Sequence, residues 1–374
     1  MTLVLSNEEI ESYLRMPECI QVVEDAQREF AALRAANRPR TDLYAPHERD
    51  DAFYVFKSFE GLLPKAGVVA LRLNSDVIVM SEYEGKMRKD KQPLANGRWV
   101  GLILLFSITT GEPLAIMPDG VVQRMRVGAT SGLAARLMAR PNAEVYGLIG
   151  TGWQAGAQLM AMSAVRNLRE VRAFSPNPEH RAAFADEWSE KLGLQVRAVG
   201  SAREAVEGAD IVGTATNATA PLIEPEWLAP AVHLTCVKRS ELGERLLSRC
   251  AQVVVHSHEG PPTNYMVGLR DTSVVAHDPF PLAERLRRGE RVSAAEVEGV
   301  SRAAVEPEDE PQLCDLVTGE IDVLQCGEAP NAFVNNVGMG IQFAAVGNLA
   351  YRKGLERGLG HQLPTEWFTE DVHP

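Results

Sequence analysis

Residues 145–156 read Val-Tyr-Gly-Leu-Ile-Gly-Thr-Gly-Trp-Gln-Ala-Gly. An apolar strand that runs into Gly-x-Gly-x-x-Ala and then a helix is the arrangement that holds a dinucleotide diphosphate. Gly150 permits the tight turn, and Gly152 lets the backbone approach the diphosphate, whose charge rests on the N-terminus of the helix. Ala155 allows close helix–strand packing, with Thr151, Trp153 and Gln154 the remaining residues of the cofactor turn. The next strand ends at Phe174-Ser175-Pro176-Asn177. An acidic residue there would accept ribose hydroxyls; none is present. Ser175, Asn177 and Arg181 could host a 2′-phosphate, so the reading leans to NADP(H) over NAD(H). His256 and His258 form an HxH pair, but no third ligand stands at a recognisable spacing, so no metal site is expected. Cys236 reads as a packing thiol on a buried strand.

These residues need a scaffold, and the texture of the chain supplies one. From about residue 121, short apolar strands alternate with helices: strands near 145–149, 171–175, 195–199, 211–216, 233–237 and 252–256, helices near 122–138, 154–165, 178–192 and 202–207. Such alternation indicates a parallel sheet covered on both faces. The first 125 residues mix periodicities, with helices near Ser6 and over 17–36, then strands at 52–58, 68–73, 99–108 and 114–117. Residues 81–97 are polar and read as an exposed loop. A helix over 341–355 must pack on something, and a return to the N-terminal segment would make one domain discontinuous. The fold class expected is α/β: a Rossmann-type doubly wound parallel sheet domain (126–314) plus a discontinuous α+β substrate-binding and dimerisation domain (1–125 and 315–374).

Length and composition agree. The 374 residues suggest about two domains, and 45% apolar content is enough to bury real cores. Fifty acidic against 38 basic residues give a net charge of −12, which argues against a nucleic-acid or anionic-membrane partner. Any anionic ligand must be caught by a local basic pocket. The five cysteines (Cys19, Cys236, Cys250, Cys314, Cys326) include no CxxC pair, which points to reduced thiols. The N-terminus lacks a basic leader and no run of about 18 apolar residues occurs, so a cytoplasmic protein is expected.

Several runs carry a more specific signal: Thr110-Gly111-Glu112-Pro113-Leu114-Ala115-Ile116-Met117-Pro118-Asp119-Gly120, then Arg126-Val127-Gly128-Ala129-Thr130-Ser131, then Ala134-Ala135-Arg136-Leu137-Met138-Ala139-Arg140, and the Gly-x-Gly-x-Gln-Ala form of the turn. With these the sequence resembles the ornithine cyclodeaminase/μ-crystallin family, which includes alanine dehydrogenases and ketimine or imine reductases. The resemblance implies a homodimer. It implies that Arg126 grips a substrate carboxylate, as a planar guanidinium does bidentately, and that Arg40 is a second basic substrate contact. It also adds Thr214, Ala215, Thr216, Asn217, Val237, Lys238 and Asn336 to the cofactor contacts. Lys238 could lie beside the nicotinamide or pair with Glu241.

Two departures bear on the chemistry. The stretch Thr235-Cys236-Val237-Lys238-Arg239-Ser240-Glu241-Leu242 lacks the aspartate that the family's cyclodeaminases carry there. Arg72 stands where the family usually has lysine; it enters the catalytic group as a fixed charge that cannot readily shuttle protons. Lys57, in Phe56-Lys57-Ser58, is the lysine to nominate as acid or base. The expected activity is NAD(P)-dependent reduction of an α-imino acid, or oxidation of the matching amino acid, on a small carboxylated amine or imine substrate. Two alternatives remain open: a cyclodeaminase-type lyase with NAD as internal hydride shuttle, and a non-catalytic NADP-binding protein of the μ-crystallin kind.

Overall fold

The computed structural model describes residues 1–372 apart from 84–85, 219, 270–272, 277–278, 303–308, 325–326 and 328; the expectation for Cys326 lies outside them. The strands are β1 (Thr2–Val4), β2 (Ala36–Pro46), β3 (Ala52–Leu63), β4 (Val68–Tyr83), β5 (Lys86–Lys91), β6 (Val100–Ser107), β7 (Pro113–Pro118), β8 (Val145–Ile149), β9 (Glu170–Phe174), β10 (Gln195–Ala198), β11 (Ile211–Thr214), β12 (His233–Cys236), β13 (Gln252–Val255), β14 (Thr263–Met266), β15 (Val274–Val275), β16 (Asn331–Val334) and β17 (His361–Leu363). They form two sheets. The first is mixed, in the order β15-β14-β2-β3-β4-β6-β7-β1-β17, with β5 paired to β4; the second runs β10-β9-β8-β11-β12-β16-β13. Every pairing in the second is parallel.

The helices that matter for the site are α1 (Asn7–Tyr13), α2 (Met16–Ala31), α3 (Gly120–Met138), α4 (Trp153–Val165), α5 (Pro178–Leu192) and a C-terminal helix (Gly340–Glu356). Helix α3 is buried almost all round, because it packs on α2, α4 and the C-terminal helix and touches β12 and β16. The C-terminal helix covers β3 and β4 closely: a Cβ on Gly61 would lie 2.0 Å from Ile341 N, and one on Gly340 2.0 Å from Glu60 O. One apolar cluster runs through both sheets, from Leu3 and Ile103 to Val254 and Phe333.

On β4 the period of two is plain. Ala70, Arg72, Asn74, Asp76 and Ile78 face inward and are buried, while Leu71, Leu73, Ser75 and Val77 are half-buried on the other face. The polar inward residues on this strand belong to the candidate site.

Three expectations need correction. Residues 81–97 are not one loop: β4 continues to Tyr83 and β5 pairs back on it, Val79 opposite Asp90. Residues 81–97 carry no apolar alternation, so this hairpin leaves no pattern in the sequence. Strand β2 was not foreseen, because Ala36–Pro46 is polar, holds Pro39 and is bulged between Arg38 and Thr41. The division at 125 and 315 also differs from the sheets. β14 and β15 extend the first sheet from its β2 edge, and β16 enters the parallel sheet between β12 and β13. Two short excursions of this kind carry no compositional boundary.

Candidate active site

The glycine turn sits where the strand order of the parallel sheet reverses, at the carboxyl ends of β8 and β11, the usual place for a ligand crevice. Gly150 has φ +117°, and a Cβ there would lie 2.3 Å from Ala215 O, so glycine is needed for the fold itself. Gly152 differs. Its φ of −93° suits any residue, and a Cβ would meet nothing within 4 Å. Helix α4 starts at Trp153 without a side-chain cap, and its first internal bond runs from Gly156 N to Gly152 O (3.3 Å). The N–H groups of Trp153, Gln154 and Ala155 therefore have no acceptor among the described residues. Gln154 Oε1 is buried with no partner there either. Open space and free amides fit an anionic diphosphate.

The neighbouring turns are held by the protein. Thr151 Oγ1 donates to Ser175 Oγ (2.8 Å), Asn177 caps α5 by accepting from His180 N (2.9 Å), and Arg181 Nη1 donates to Ser175 O (2.8 Å). After β11, the buried carboxylate of Glu241 accepts from Thr214 Oγ1 (3.0 Å) and from Thr216 N and Oγ1 (2.7 and 2.6 Å), which fixes Ala215 against Gly150 and leaves Asn217 exposed. Lys238 donates to Ala218 O (3.4 Å) rather than to Glu241, and Val237 beside it is half-buried. Asn336 donates to Ser257 O (2.9 Å). Trp153 is 54% exposed, with the Arg124 guanidinium 4.0 Å from its ring centre.

Three of the four nominated cations, Arg40, Lys57 and Arg72, lie on the first sheet, and Arg126 faces them from α3. Lys57 lies opposite Asn74 and next to Asp42 across the strands, and Phe59 opposite Arg72. Arg40 makes a bidentate pair with Asp42 (2.9 and 2.8 Å). Lys57 donates to Asp76 (2.8 Å), which Lys91 also reaches (3.0 Å). Arg72 pairs with Asp119 (2.6 Å) between the rings of Phe59 and Phe343. Asp119 opens α3 but does not cap it; Asn7 Oδ1 accepts from Val121 N instead, and Asp119 turns to Arg72 and Asn74. Gly101 makes this possible, since a Cβ there would lie 2.0 Å from Asp119 Oδ1. Burial depresses Lys57 against the pull of Asp76, and depresses Arg72 against Asp119.

Arg126 is different: no carboxylate among the described residues lies within ion-pair distance of it. It is buried on α3, donates to Gln123 Oε1 through Nε and Nη2 (3.2 and 2.9 Å) and to Gln342 Oε1 through Nη1 (3.1 Å), and lies 5.0 Å from the Phe343 ring centre. Of its five N–H groups, one on each terminal nitrogen faces no acceptor among the described residues, the pair a carboxylate takes bidentately. Burial, reinforced by Arg72 and opposed by Asp119, pulls its pKa down to about 9, so it stays charged at pH 7. Gly338 lies against it, where a Cβ would be 2.8 Å from Nη1. The turn after β16 thus joins the cation cluster to the parallel sheet, with Asn335 N donating to Cys236 O (2.9 Å) and Asn335 Nδ2 to Val127 O (3.2 Å).

Asp76, Gln123 and Gln342 carried no signal in the sequence, and Asp119 and Gly338 carried no assigned role. Asp119 lies near the end of the Thr110–Gly120 run that carries the family resemblance. His256 Nδ1 donates to Val337 O (2.6 Å) and His258 bonds Glu310 O through Nε2 (2.6 Å). Burial pushes the Cys236 thiol well above its usual range, which fits a packing role. None of the described helices is long and apolar enough to cross a membrane.

The same architecture recurs in known proteins. The structure superposes with a TM-score of 0.72 and 28% identity on Thermococcus litoralis Delta(1)-pyrroline-2-carboxylate reductase in complex with NADH and L-proline, covering 97% of this chain and all of that one. In sequence it is 28% identical over 366 residues to the Bacillus cereus (strain ZK / E33L) Delta(1)-pyrroline-2-carboxylate reductase, covering 96% of this chain and 99% of the relative. It is 26% identical over 363 residues to an Archaeoglobus fulgidus alanine dehydrogenase, covering 97% and 98%. Residues 1–259, which hold the glycine turn and all four clustered cations, match the family pattern itself. The chain belongs to the ornithine cyclodeaminase/mu-crystallin family.

Proposed function

We propose that this protein is an NAD(P)H-dependent reductase of a small α-imino acid, able to run in reverse as an amino-acid dehydrogenase. The observation that carries the reading is Arg126: a buried, charged guanidinium without a carboxylate partner, tied through Gly338 and Asn335 to the sheet whose glycine turn leaves amides free for a diphosphate. The nicotinamide, when bound, supplies or accepts the hydride. The chain's own residues do the rest. Arg126 binds and orients the substrate carboxylate, and Arg40 borders the same space.

The cluster sets Arg40, Lys57, Arg72 and Arg126 against Asp42, Asp76 and Asp119. Lys91 on Asp76 adds a fifth cation, so two positive charges are left over, and the substrate carboxylate neutralises one of them. A second cation on the imine nitrogen is then disfavoured, so a proton must be delivered as the amine forms. Lys57, depressed by burial and held by Asp76, is the donor; Arg72 on Asp119 acts as a fixed charge. A cyclodeaminase is disfavoured, because residues 235–242 hold no aspartate to manage the second amine.

Two finer readings follow. The turn after β9 presents Ser175, Asn177 and Arg181 and no carboxylate, which favours NADP(H). The outer face of the first sheet is apolar and half-exposed at Leu71, Leu73, Leu102, Leu104, Phe106 and Ile116. A groove of about 940 Å³ lined in part by Leu43, Ala45, Tyr54 and Phe56 continues it, so a second copy of the chain packs here as a homodimer. The test is a panel of cyclic imines and 2-oxo acids with amines, followed at the nicotinamide absorbance with NADH and NADPH. Oxidation of the cofactor on an α-imino acid is expected. Ammonia release from ornithine without net cofactor turnover would overturn the assignment.

A further inference from the structure

Of the HxH pair suggested by the sequence, His256 is buried and borders the clamp, while His258 is half-buried. We propose that His256 is a positioning residue for Arg126: its two ring nitrogens hold, on different sides, the Gln342 amide and the Val337–Gly338 backbone that together frame the guanidinium. This inference rests on the reading of Arg126 as a carboxylate clamp.

The bonds leave little freedom. Val337 O can only accept, so His256 Nδ1 carries the proton in the 2.6 Å contact. Burial keeps the ring neutral, its pKa drawn down to about 4, and Nε2 therefore offers a lone pair. Two side-chain amides donate to that lone pair, Gln27 Nε2 at 3.0 Å and Gln342 Nε2 at 3.4 Å. The second hydrogen of Gln342 Nε2 goes to Thr130 Oγ1, whose own hydrogen is used on Arg126 O (2.8 Å). Two acceptors on one side thus fix the sense of the Gln342 amide. Its Oε1 must face the other way, where it accepts from Arg126 Nη1 (3.1 Å) and Met339 N (3.2 Å). A flipped amide would aim N–H at a guanidinium, which has no acceptor.

The Nδ1 bond acts on the opposite side of the clamp. It pins Val337 and so keeps Gly338, where a Cβ would be 2.8 Å from Nη1, against Arg126. Gln342, His256 and Gln27 are buried to 1% exposure or less, so water cannot substitute for a lost partner. With three N–H groups of Arg126 used on glutamines, the two that remain are aimed by this frame.

The test compares two substrates: the carboxylated imine best turned over in the panel, and the same imine without its carboxyl group. His256→Phe should cut the kcat/KM preference for the carboxylated imine about tenfold or more, through KM, with the Kd of NADPH changed less than about twofold. Calorimetric Kd values for the product amino acid in the presence of NADP+ should weaken in parallel. Equal losses on both substrates would mean a structural role and overturn the proposal. If His256→Phe does not fold, His256→Asn keeps an N–H toward Val337 and should show a smaller loss of preference; an unchanged preference overturns it. Arg126→Gln separates the two levels. If it abolishes the preference while the His256 variants do not, positioning by His256 fails and the clamp stands. If it also leaves the preference intact, the clamp itself is wrong.

Discussion

Alanine at Gly152 and at Gly150 should have opposite consequences, although the two glycines share one turn. At Gly152 the backbone is extended and a methyl group would meet nothing within 4 Å. Restricting the unfolded chain contributes about 0.4–1 kcal/mol of stability. Alanine caps a helix worse than glycine by roughly 0.5–1 kcal/mol. The two offset, so the apo protein should melt within about 2 °C of the parent. At Gly150 the φ of +117° and the carbonyl of Ala215 at 2.3 Å leave no place for a methyl. Backbone strain alone costs about 1–3 kcal/mol there, which lowers the melting temperature by several degrees. Cofactor affinity should show the reverse specificity. The Gly152→Ala methyl projects into the space left for a diphosphate and disturbs one charge-assisted hydrogen bond to a free amide, about 1.5–3 kcal/mol. That is roughly a 10- to 100-fold weaker Kd. Apo melting curves and titrations by nicotinamide fluorescence read both quantities. A Gly152→Ala protein that melts as low as Gly150→Ala, or that binds NADPH as the parent does, would refute the view of Gly152 as a ligand cradle.

Asp119→Ala should leave Arg72 buried and unpaired and lower stability by about 3–5 kcal/mol, read as a shift in urea midpoint; a loss under about 1 kcal/mol would show that Arg72 finds water. Burial draws the pKa of both His233 and His256 from 6.5 to about 4. The unfolded chain takes up protons near pH 6.5 that the native rings refuse until about 4, so stability falls as pH drops through that window, by up to about 3 kcal/mol for each ring. His233→Asn should remove about half of that slope in urea melts between pH 7 and 4.5, and an unaltered slope would contradict it. Leu104→Glu, on the face proposed above for a second copy, should turn the proposed dimer into a monomer by light scattering, with nucleotide binding retained; a dimer that persists would put the contact elsewhere.

The parallel sheet was legible because its strands are short, apolar and buried on both faces, and because the glycine turn follows one of them directly. The strands and helices expected between 145 and 256 appear within a residue or two of where the pattern places them, while the short helices Arg239–Leu242 and Glu244–Leu247 were not foreseen. The first sheet was read less well. Its inner face carries Asp42, Lys57, Arg72, Asn74 and Asp76 where a hydrophobic pattern expects aliphatic residues, so β2 escaped notice and β4 looked shorter than it is. The cations of the site could be nominated from their types and from family resemblance. Their carboxylate partners could not, because Asp76 and Asp119 meet Lys57 and Arg72 only across strands and a helix start. Gln342 and His256 were illegible as a pair, since a buried amide gains meaning only from the atoms on each side of it.

The path of the chain between the sheets has a mechanical corollary. It builds most of one sheet, then most of the other, goes back to lay β14 along β2 beside Arg40, returns to insert β16, and finally crosses again with the C-terminal helix. The two halves are sewn together by four passes of the backbone, so no single cut frees one from the other. Wide jaw-like opening would have to bend all four stitches at once. Entry and exit of small molecules should therefore proceed by slight sliding of the halves, and partial digestion should yield nicked but still assembled protein.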